Sequence, residues 1–322
     1  MSSSSPTLTG FGLKKVLGNF RRGEPCCWGC VSSSDNYCVL PFLMDFASCL
    51  YLSLILNLSM SKLDNYVKDG DNVVIYFADK KKWLVRAKAD EKLHTHLGYI
   101  ELGSTIGKKY GSSVKTSLGE RFWILKPTII DLILKAERKT QIVYPKDLGM
   151  IASMTGISSG FTVVEAGTGS GVLTTFLANL VKPDGHVFSY EIRPEFIEIA
   201  RKNIDRAGLS DFVTIKQSDA KKGFDEKDVD AVIIDVGDPW TLVRVAWEAL
   251  KGGGVIASVS PTMNQVEKLV AELANVGFVK IESLELLLRN LEARTGMTRP
   301  SMRMIGHTAY LTFARKIIMN EV

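Results

Sequence analysis

Beyond Cys49 the chain has no cysteine: all five (Cys26, Cys27, Cys30, Cys38 and Cys49) fall within the first fifty of 322 residues. A disulfide framework or a structural zinc site is spread through the fold it holds, so neither is expected in the long remainder. Cys27 and Cys30 form a C-x-x-C, but no second pair and no nearby histidines complete a metal set, and no metal is expected. A strong charge imbalance is also missing. The 40 basic and 35 acidic residues leave a net charge of +5, compatible with an RNA partner but equally usual in proteins without one. Hydrophobic residues make up 46% and charged residues 23%, enough apolar material for a core of normal size. The length favours two domains.

Residues 1–59 differ from everything after them. Ser2 to Ser5 lead into Lys14, Lys15, Arg21 and Arg22, and an apolar run extends from Val39 to Leu58. That run is about long enough to span a bilayer, yet Asp45 interrupts it and Pro41 and Asn57 weaken it. No small-residue cleavage site follows. From Met60 the sequence reads as a natural protein start, so residues 1–59 are expected to be a dispensable or wrongly assigned extension, with 39–58 as a possible membrane segment. No membrane association is expected of the rest, which is taken as cytoplasmic.

Residues 60–126 carry short strand patterns: Val73 to Ala78, Trp83 to Ala87, Gly98 to Leu102 and Arg121 to Leu125. The polar stretch Asp79 to Lys82 reads as a hairpin turn between the first two. Lysines gather here (Lys80, Lys81, Lys82, Lys108, Lys109, Lys115), either as a solvated face or as an RNA-contacting one. A small β-barrel-like domain is expected, followed by a catalytic domain over 127–322. Thr128 to Arg138 has helical spacing, and from Phe161 strands and helices alternate. Such alternation predicts a mostly parallel, doubly wound α/β sheet with helices on both faces. The two closing strands lack a helix between them and are expected to pair antiparallel.

Glu165-Ala-Gly167-Thr-Gly169-Ser-Gly171 follows an apolar strand and opens a helix. Glycines at such a turn permit a sharp bend and close approach of a ligand to the backbone. A dinucleotide fingerprint needs a third glycine or alanine where Val172 stands, and the lysine of a triphosphate-binding loop is also missing. Carboxylates mark four successive strand ends: Glu165, Glu191, Asp219 and Asp235. Glu191 lies about twenty residues past the turn, where an acidic side chain can take ribose hydroxyls. Asp219 can accept from an adenine amino group. Any one of them could instead cap a helix. Four in this order point to a nucleoside-bearing cofactor.

The run EAGTGSG resembles the cofactor turn of class I S-adenosylmethionine methyltransferases. Three further segments, TQIVYPKD (Thr140 to Asp147), IIDVGDPW (Ile233 to Trp240) and RPSMRMIGHTAYLTFARK (Arg299 to Lys316), resemble the archaeal tRNA (adenine-N1)-methyltransferase family. The likeness runs from about Met60 to Lys316. It implies a Rossmann-like class I methyltransferase sheet, mostly parallel with its last strand antiparallel, and S-adenosyl-L-methionine as cofactor. Gly167, Gly169, Ser170, Gly171 and Val172 would hold its methionine part, with Glu165 beside them. Glu191 would take the ribose and Asp219 the adenine. Tyr144 would line the cofactor or target pocket, and Asp235 would be the catalytic acidic residue. His307 and Thr308 would sit near the reacting region. The implied substrate is the T-loop adenosine at position 58 of tRNA, and in some members position 57 as well. The implied assembly is a homotetramer.

Such chemistry asks mainly for placement of donor and acceptor, with a carboxylate to meet the positive charge that N1 methylation leaves on the base. Tyr144 and Trp240 are candidate stacking faces, or ordinary core aromatics. Arg299 and Arg303, with Arg289 and Arg294, suit phosphate contact. Two alternatives stand beside this reading: a class I methyltransferase with another target, and a non-catalytic tRNA-binding subunit of a methyltransferase complex.

Overall fold

Runs of β-branched and aromatic residues build β1 (Asn72–Ala78) and β2 (Lys81–Arg86), which pair antiparallel. The computed structural model describes residues 65–78, 81–139 and 141–318. The expectations for residues 1–59, their cysteines and the 39–58 run lie outside the described residues, as do Asp79, Lys80 and Thr140. Lys62–Val322 form one compact unit.

The short strands β3 (Lys92–Thr95) and β4 (Gly98–Glu101) form a hairpin that pairs only with itself. Then β5 (Ser113–Lys115) and β6 (Arg121–Leu125) complete a four-stranded sheet in the order β2-β1-β6-β5. This sheet is open rather than barrel-like, because β2 and β5 each keep an unpaired edge among the described residues. Period-two alternation turns Val73, Ile75, Phe122 and Ile124 onto one fully buried face. Ile100 and Leu102 join that core, while Trp123 points outward. Asn72 Nδ2 donates to the Arg206 carbonyl (2.5 Å), and an Arg206 guanidinium nitrogen donates to the Leu84 carbonyl (3.2 Å), fastening this sheet to the α/β part.

Helix α1 (Ile129–Leu134) begins at Thr128, whose hydroxyl and the Asp131 carboxylate cap each other's backbone N–H groups. A second helix, α2 (Pro145–Thr155), was not anticipated from its mixed residues, but Pro145 opens it and Gly156, left-handed at φ +70°, ends it. The sheet strands follow: β7 (Thr162–Ala166), β8 (His186–Glu191), β9 (Val213–Gln217), β10 (Val229–Ile234) and β11 (Leu250–Ser260). Helices α3 (Val172–Val181), α4 (Pro194–Arg206) and α5 (Val243–Ala249) alternate with them, and α6 (Met263–Val276) follows β11. The chain closes with β12 (Val279–Glu285), a two-residue hairpin β13 (Leu291–Glu292) and β14 (Arg299–Pro300), and β15 (Tyr310–Arg315).

The large sheet has seven strands in the order β12-β15-β11-β10-β7-β8-β9. Strands β7 to β11 run parallel, whereas β15 is antiparallel to both its neighbours. No crossover helix separates β12 from β15, so the chain returns antiparallel, as expected. Alternate residues feed two cores. Val163, Val187 and Ile233 meet α2, α3 and α4, while Val164, Val232 and Ile234 meet α5 and α6. Each fully buried large side chain contributes roughly 1.5–3 kcal/mol. Chain order reverses between β7 and β10: β8 follows on one side of β7, and β11 on the far side of β10. Ligands of doubly wound sheets bind at that point, beyond the strands' C-terminal ends. No helix among the described residues is long and apolar enough to cross a membrane.

Candidate functional site

The turns after β7 and β10 meet where chain order reverses, and a cavity of about 540 Å³ opens above them. Small-molecule sites occupy roughly 300–1,000 Å³. The meeting depends on Gly167. Its φ is +98°, and a Cβ there would collide with the Asp235 carbonyl oxygen. The Asp235 N–H in turn donates to the Ala166 carbonyl (2.8 Å), binding the two turns together. Gly171, at φ +73°, brings α3 against α4, where a Cβ would stand 2.9 Å from Ala200 Cα.

Four N–H donors of the glycine turn are already used. The N–H groups of Gly167 and Thr168 donate to the Tyr190 carbonyl (2.9 and 3.3 Å), and that of Gly171 to the Thr168 carbonyl (2.8 Å). The Gly169 N–H donates to Glu191 Oε2 (3.0 Å). A phosphate-binding turn instead presents free N–H groups to its ligand. The cavity wall is acidic as well. Glu191, Asp219, Asp235 and Asp238 face it against two cations, Arg193 and Lys221. Both cations are engaged, Arg193 with Glu191 (3.3 Å) and Lys221 with Asp238 (2.5 Å). This donor set disfavours a diphosphate and suits a cationic ligand without phosphate, which a sulfonium nucleoside is.

Glu191 is 5% exposed and held rigidly, with Oε1 accepting from the N–H groups of Ile192 (3.0 Å) and Arg193 (3.1 Å). Each carboxylate oxygen has two lone pairs, and Oε2 accepts only from the Gly169 N–H, so one remains for a ligand hydroxyl. Asp219 both lines the cavity and caps a short turn by accepting from the Lys221 N–H (3.0 Å). Asp235 is the distinctive group. Its carboxyl makes no hydrogen bond or ion pair among the described residues, and burial pushes its pKa up to about 6.

Glu165 is not on the cavity wall. Strand alternation turns it, with Val163, toward α3 and away from the opening. There Oε2 accepts from the hydroxyls of Thr174 and Ser189, both at 2.6 Å, and Oε1 has no partner. Burial raises its pKa to about 8. Thr168 of the turn lies 2.5 Å from the same Ser189 hydroxyl, so Glu165 supports the turn from beneath. Ser170 and Val172 are likewise buried off the wall, and the Ser170 carbonyl accepts from Asn203 Nδ2 (2.8 Å).

Of the expected residues, the cavity therefore gathers Gly167, Glu191, Asp219 and Asp235. Tyr144 and Arg303 line a second cavity of about 320 Å³, with Pro145, Lys146 and Thr308. Beneath it a buried cluster joins distant segments. Lys146 Nζ donates to Asp147 Oδ1 (2.7 Å) and to Thr308 Oγ1 (2.6 Å), and the Thr308 hydroxyl donates to Asp147 Oδ2 (2.7 Å). Lys146 and Asp147 were not singled out from the sequence, although they stand in the YPKD segment. Trp240 and Arg299 line neither cavity: Lys268 lies over the Trp240 ring (4.7 Å), and Arg299 pairs with Glu292 (2.8 Å). His307 lies between Glu285 and Pro261. Among the described residues, no group of three or more His, Cys, Asp or Glu side chains is arranged to hold a metal ion.

With that geometry in view, the chain can be compared with known proteins. Residues 121–298 match the family described as tRNA methyltransferase complex GCD14 subunit. The chain is 38% identical over 261 residues to the tRNA (adenine(57)-N(1)/adenine(58)-N(1))-methyltransferase TrmI of Methanocaldococcus jannaschii, covering 73% of this chain and 91% of that protein. Among solved structures it is similar to a S-adenosylmethionine-dependent O-methyltransferase of Thermotoga maritima, with TM-score 0.76 and 44% identity over 81% of this chain and 98% of that one. It is also similar to the tRNA (m1A58) methyltransferase TrmI of Aquifex aeolicus, with TM-score 0.69 and 33% identity over 79% of this chain and 100% of that one.

Proposed function

Since the chain belongs to the tRNA methyltransferase complex GCD14 subunit family, we propose that it is an S-adenosylmethionine-dependent methyltransferase acting on adenine N1 in tRNA, at position 58 and, as in the Methanocaldococcus relative's name, also 57. One observation carries the reading: an unpaired carboxylate, Asp235, stands on the wall of an acidic cavity whose glycine turn spends the N–H groups of Gly167, Thr168, Gly169 and Gly171 within the protein.

The bound cofactor supplies a methyl group activated by its sulfonium charge. The residues do the rest by position. Glu191 takes the ribose hydroxyls, Asp219 the adenine amino group, and the Gly167 turn lies against the methionine part. Methylation at N1 leaves the target adenine positively charged. Asp235, facing its exocyclic amine, stabilises that charge or accepts the amine proton. A carboxyl with a pKa of about 6 is ionised at neutral pH and remains basic enough for this work.

A T-loop adenosine must leave its stack to reach the cavity, at a cost of a few kcal/mol. Tyr144, on the wall of the second cavity beside Arg303, supplies a stacking face and a phosphate contact for the extruded nucleotide. Arg299 and Trp240 are candidates for contacts further along the RNA. A homotetramer and a cytoplasmic site of action belong to the same reading.

Asp235→Ala tests it. The variant should bind tRNA as the wild type does and lose most turnover, measured with labelled cofactor on unmodified tRNA. Unchanged turnover removes Asp235 from its role.

A further inference from the structure

His307 lies where three elements converge between the two cavities. Its Nδ1 is 2.6 Å from Glu285 Oε1 at the end of β12. Its Nε2 is 2.9 Å from the carbonyl oxygen of Pro261, the residue after β11 that forms part of the larger cavity's wall. A carbonyl oxygen only accepts, so Nε2 must carry a proton. An ionised carboxylate only accepts, so Nδ1 must carry one too. Only the imidazolium satisfies both partners. The next residue, Thr308, is tied to Asp147 and Lys146 in the first turn of α2, beside Tyr144. Two consecutive residues entering β15 thus fasten the ends of β11, β12 and α2 to one another.

We propose that His307, doubly protonated, is a positioning residue: a cationic clasp that holds Pro261 in the cofactor cavity wall without touching cofactor or RNA. This rests on the reading of the larger cavity as the cofactor site. The groups facing the ring are Glu285 from β12, the Pro261 carbonyl from the β11 end, Lys146 from α2 and Tyr310 from β15, whose ring centre is 4.7 Å away. Glu285 is the strongest influence and raises the His307 pKa, with help from Pro261; Lys146 opposes them. A group with a raised pKa delivers its contribution at low pH and loses it as pH rises through that pKa. The neutral ring keeps one N–H and turns a lone pair toward either Glu285 or Pro261, so the clasp opens on the alkaline side.

The test titrates the full-length wild type by imidazole NMR, with His307→Gln assigning one signal among the four histidines. In parallel, S-adenosylmethionine affinity is measured by calorimetry across the same pH range. His307 should titrate above the ordinary histidine value, and in Glu285→Gln it should return toward that value. Wild-type affinity should weaken severalfold as His307 loses its proton, and in Glu285→Gln the same weakening should move to lower pH. His307→Gln can donate to one partner only and should bind, at every pH, like the wild type at high pH, with kcat changed less than the cofactor Kd. Either of two results overturns the clasp: an ordinary or lowered His307 titration, or a cofactor affinity that is flat across it. The wild-type titration decides even where a variant folds poorly. PH-linked binding without methyl transfer to tRNA would instead refute the tRNA reading and leave the clasp standing.

Discussion

Gly167→Ala separates the two things that glycine does. At φ +98° an alanine enters a backbone region that L-residues rarely adopt, at a cost of roughly 1–3 kcal/mol. The added methyl would also collide with the Asp235 carbonyl oxygen, which cannot yield freely because the Asp235 N–H is bonded to Ala166. Overpacking of this kind costs about 1–3 kcal/mol more. Gly156→Ala is the matched control: it too has a positive φ, +70°, but a Cβ there meets nothing within 4 Å. Urea unfolding of both variants should therefore differ by about 1–3 kcal/mol, the clash alone. Calorimetry should find cofactor affinity reduced in Gly167→Ala, because relief of the clash moves Asp235 and both turns, and preserved in Gly156→Ala. Equal stability and equal affinity in the two variants would refute the claim that contact between the β7 and β10 turns shapes the cavity.

The carboxyls of Asp235, Glu165 and Asp147 set further outcomes. Asp235 must be ionised to act and loses its charge below about 6, so kcat/KM for tRNA should rise tenfold per pH unit up to that value and level above it; a flat profile from pH 5 to 7 counts against its role. Glu165 holds its proton up to about 8 when folded but releases it near 4.5 when unfolded. The folded state therefore binds the extra proton in that window, and wild-type stability should fall as pH rises from 4.5 to 8. Glu165→Gln, already shaped like the neutral acid, should make that slope shallower in pH-dependent urea melts. Glu165→Ala should cost about 2–5 kcal/mol, since two buried hydroxyls lose their acceptor. Asp147→Ala strands the Lys146 ammonium and should destabilise by about 3–5 kcal/mol, read by urea unfolding; a loss under about 1 kcal/mol would mean the cluster holds nothing together.

Much of this architecture is legible in the chain. Strand and helix alternation after Phe161 translates into the seven-stranded sheet because its central parallel strands are buried on both faces and helices make every crossover but the one from β9 to β10. The antiparallel β15 follows from the missing helix before it. Local signals failed where residues are mixed. Helix α2 contains Gly149 and Ser153 among its apolar residues, and only its ends, Pro145 and Gly156, betray it. Strands β3 and β5 are too short for alternation to register. Within the site, position at a strand end was a sound guide for Glu191, Asp219 and Asp235, which reach the cavity. It misled for Glu165, which lies one residue inside the end of β7, so the pleat turns its side chain beneath the turn. The bonds between Thr308 and Asp147, and between His307 and Pro261, span 161 and 46 residues. No local pattern encodes them, although both histidine and threonine stand in a segment already recognised by resemblance.

The most direct measurement is nucleoside mass spectrometry of unmodified tRNA after incubation with the wild-type protein and isotopically labelled S-adenosylmethionine. Label is expected in 1-methyladenosine from the T-loop, dependent on Asp235. Label on a hydroxyl oxygen, as the description of the Thermotoga maritima relative would suggest, or no label in tRNA at all, would contradict it.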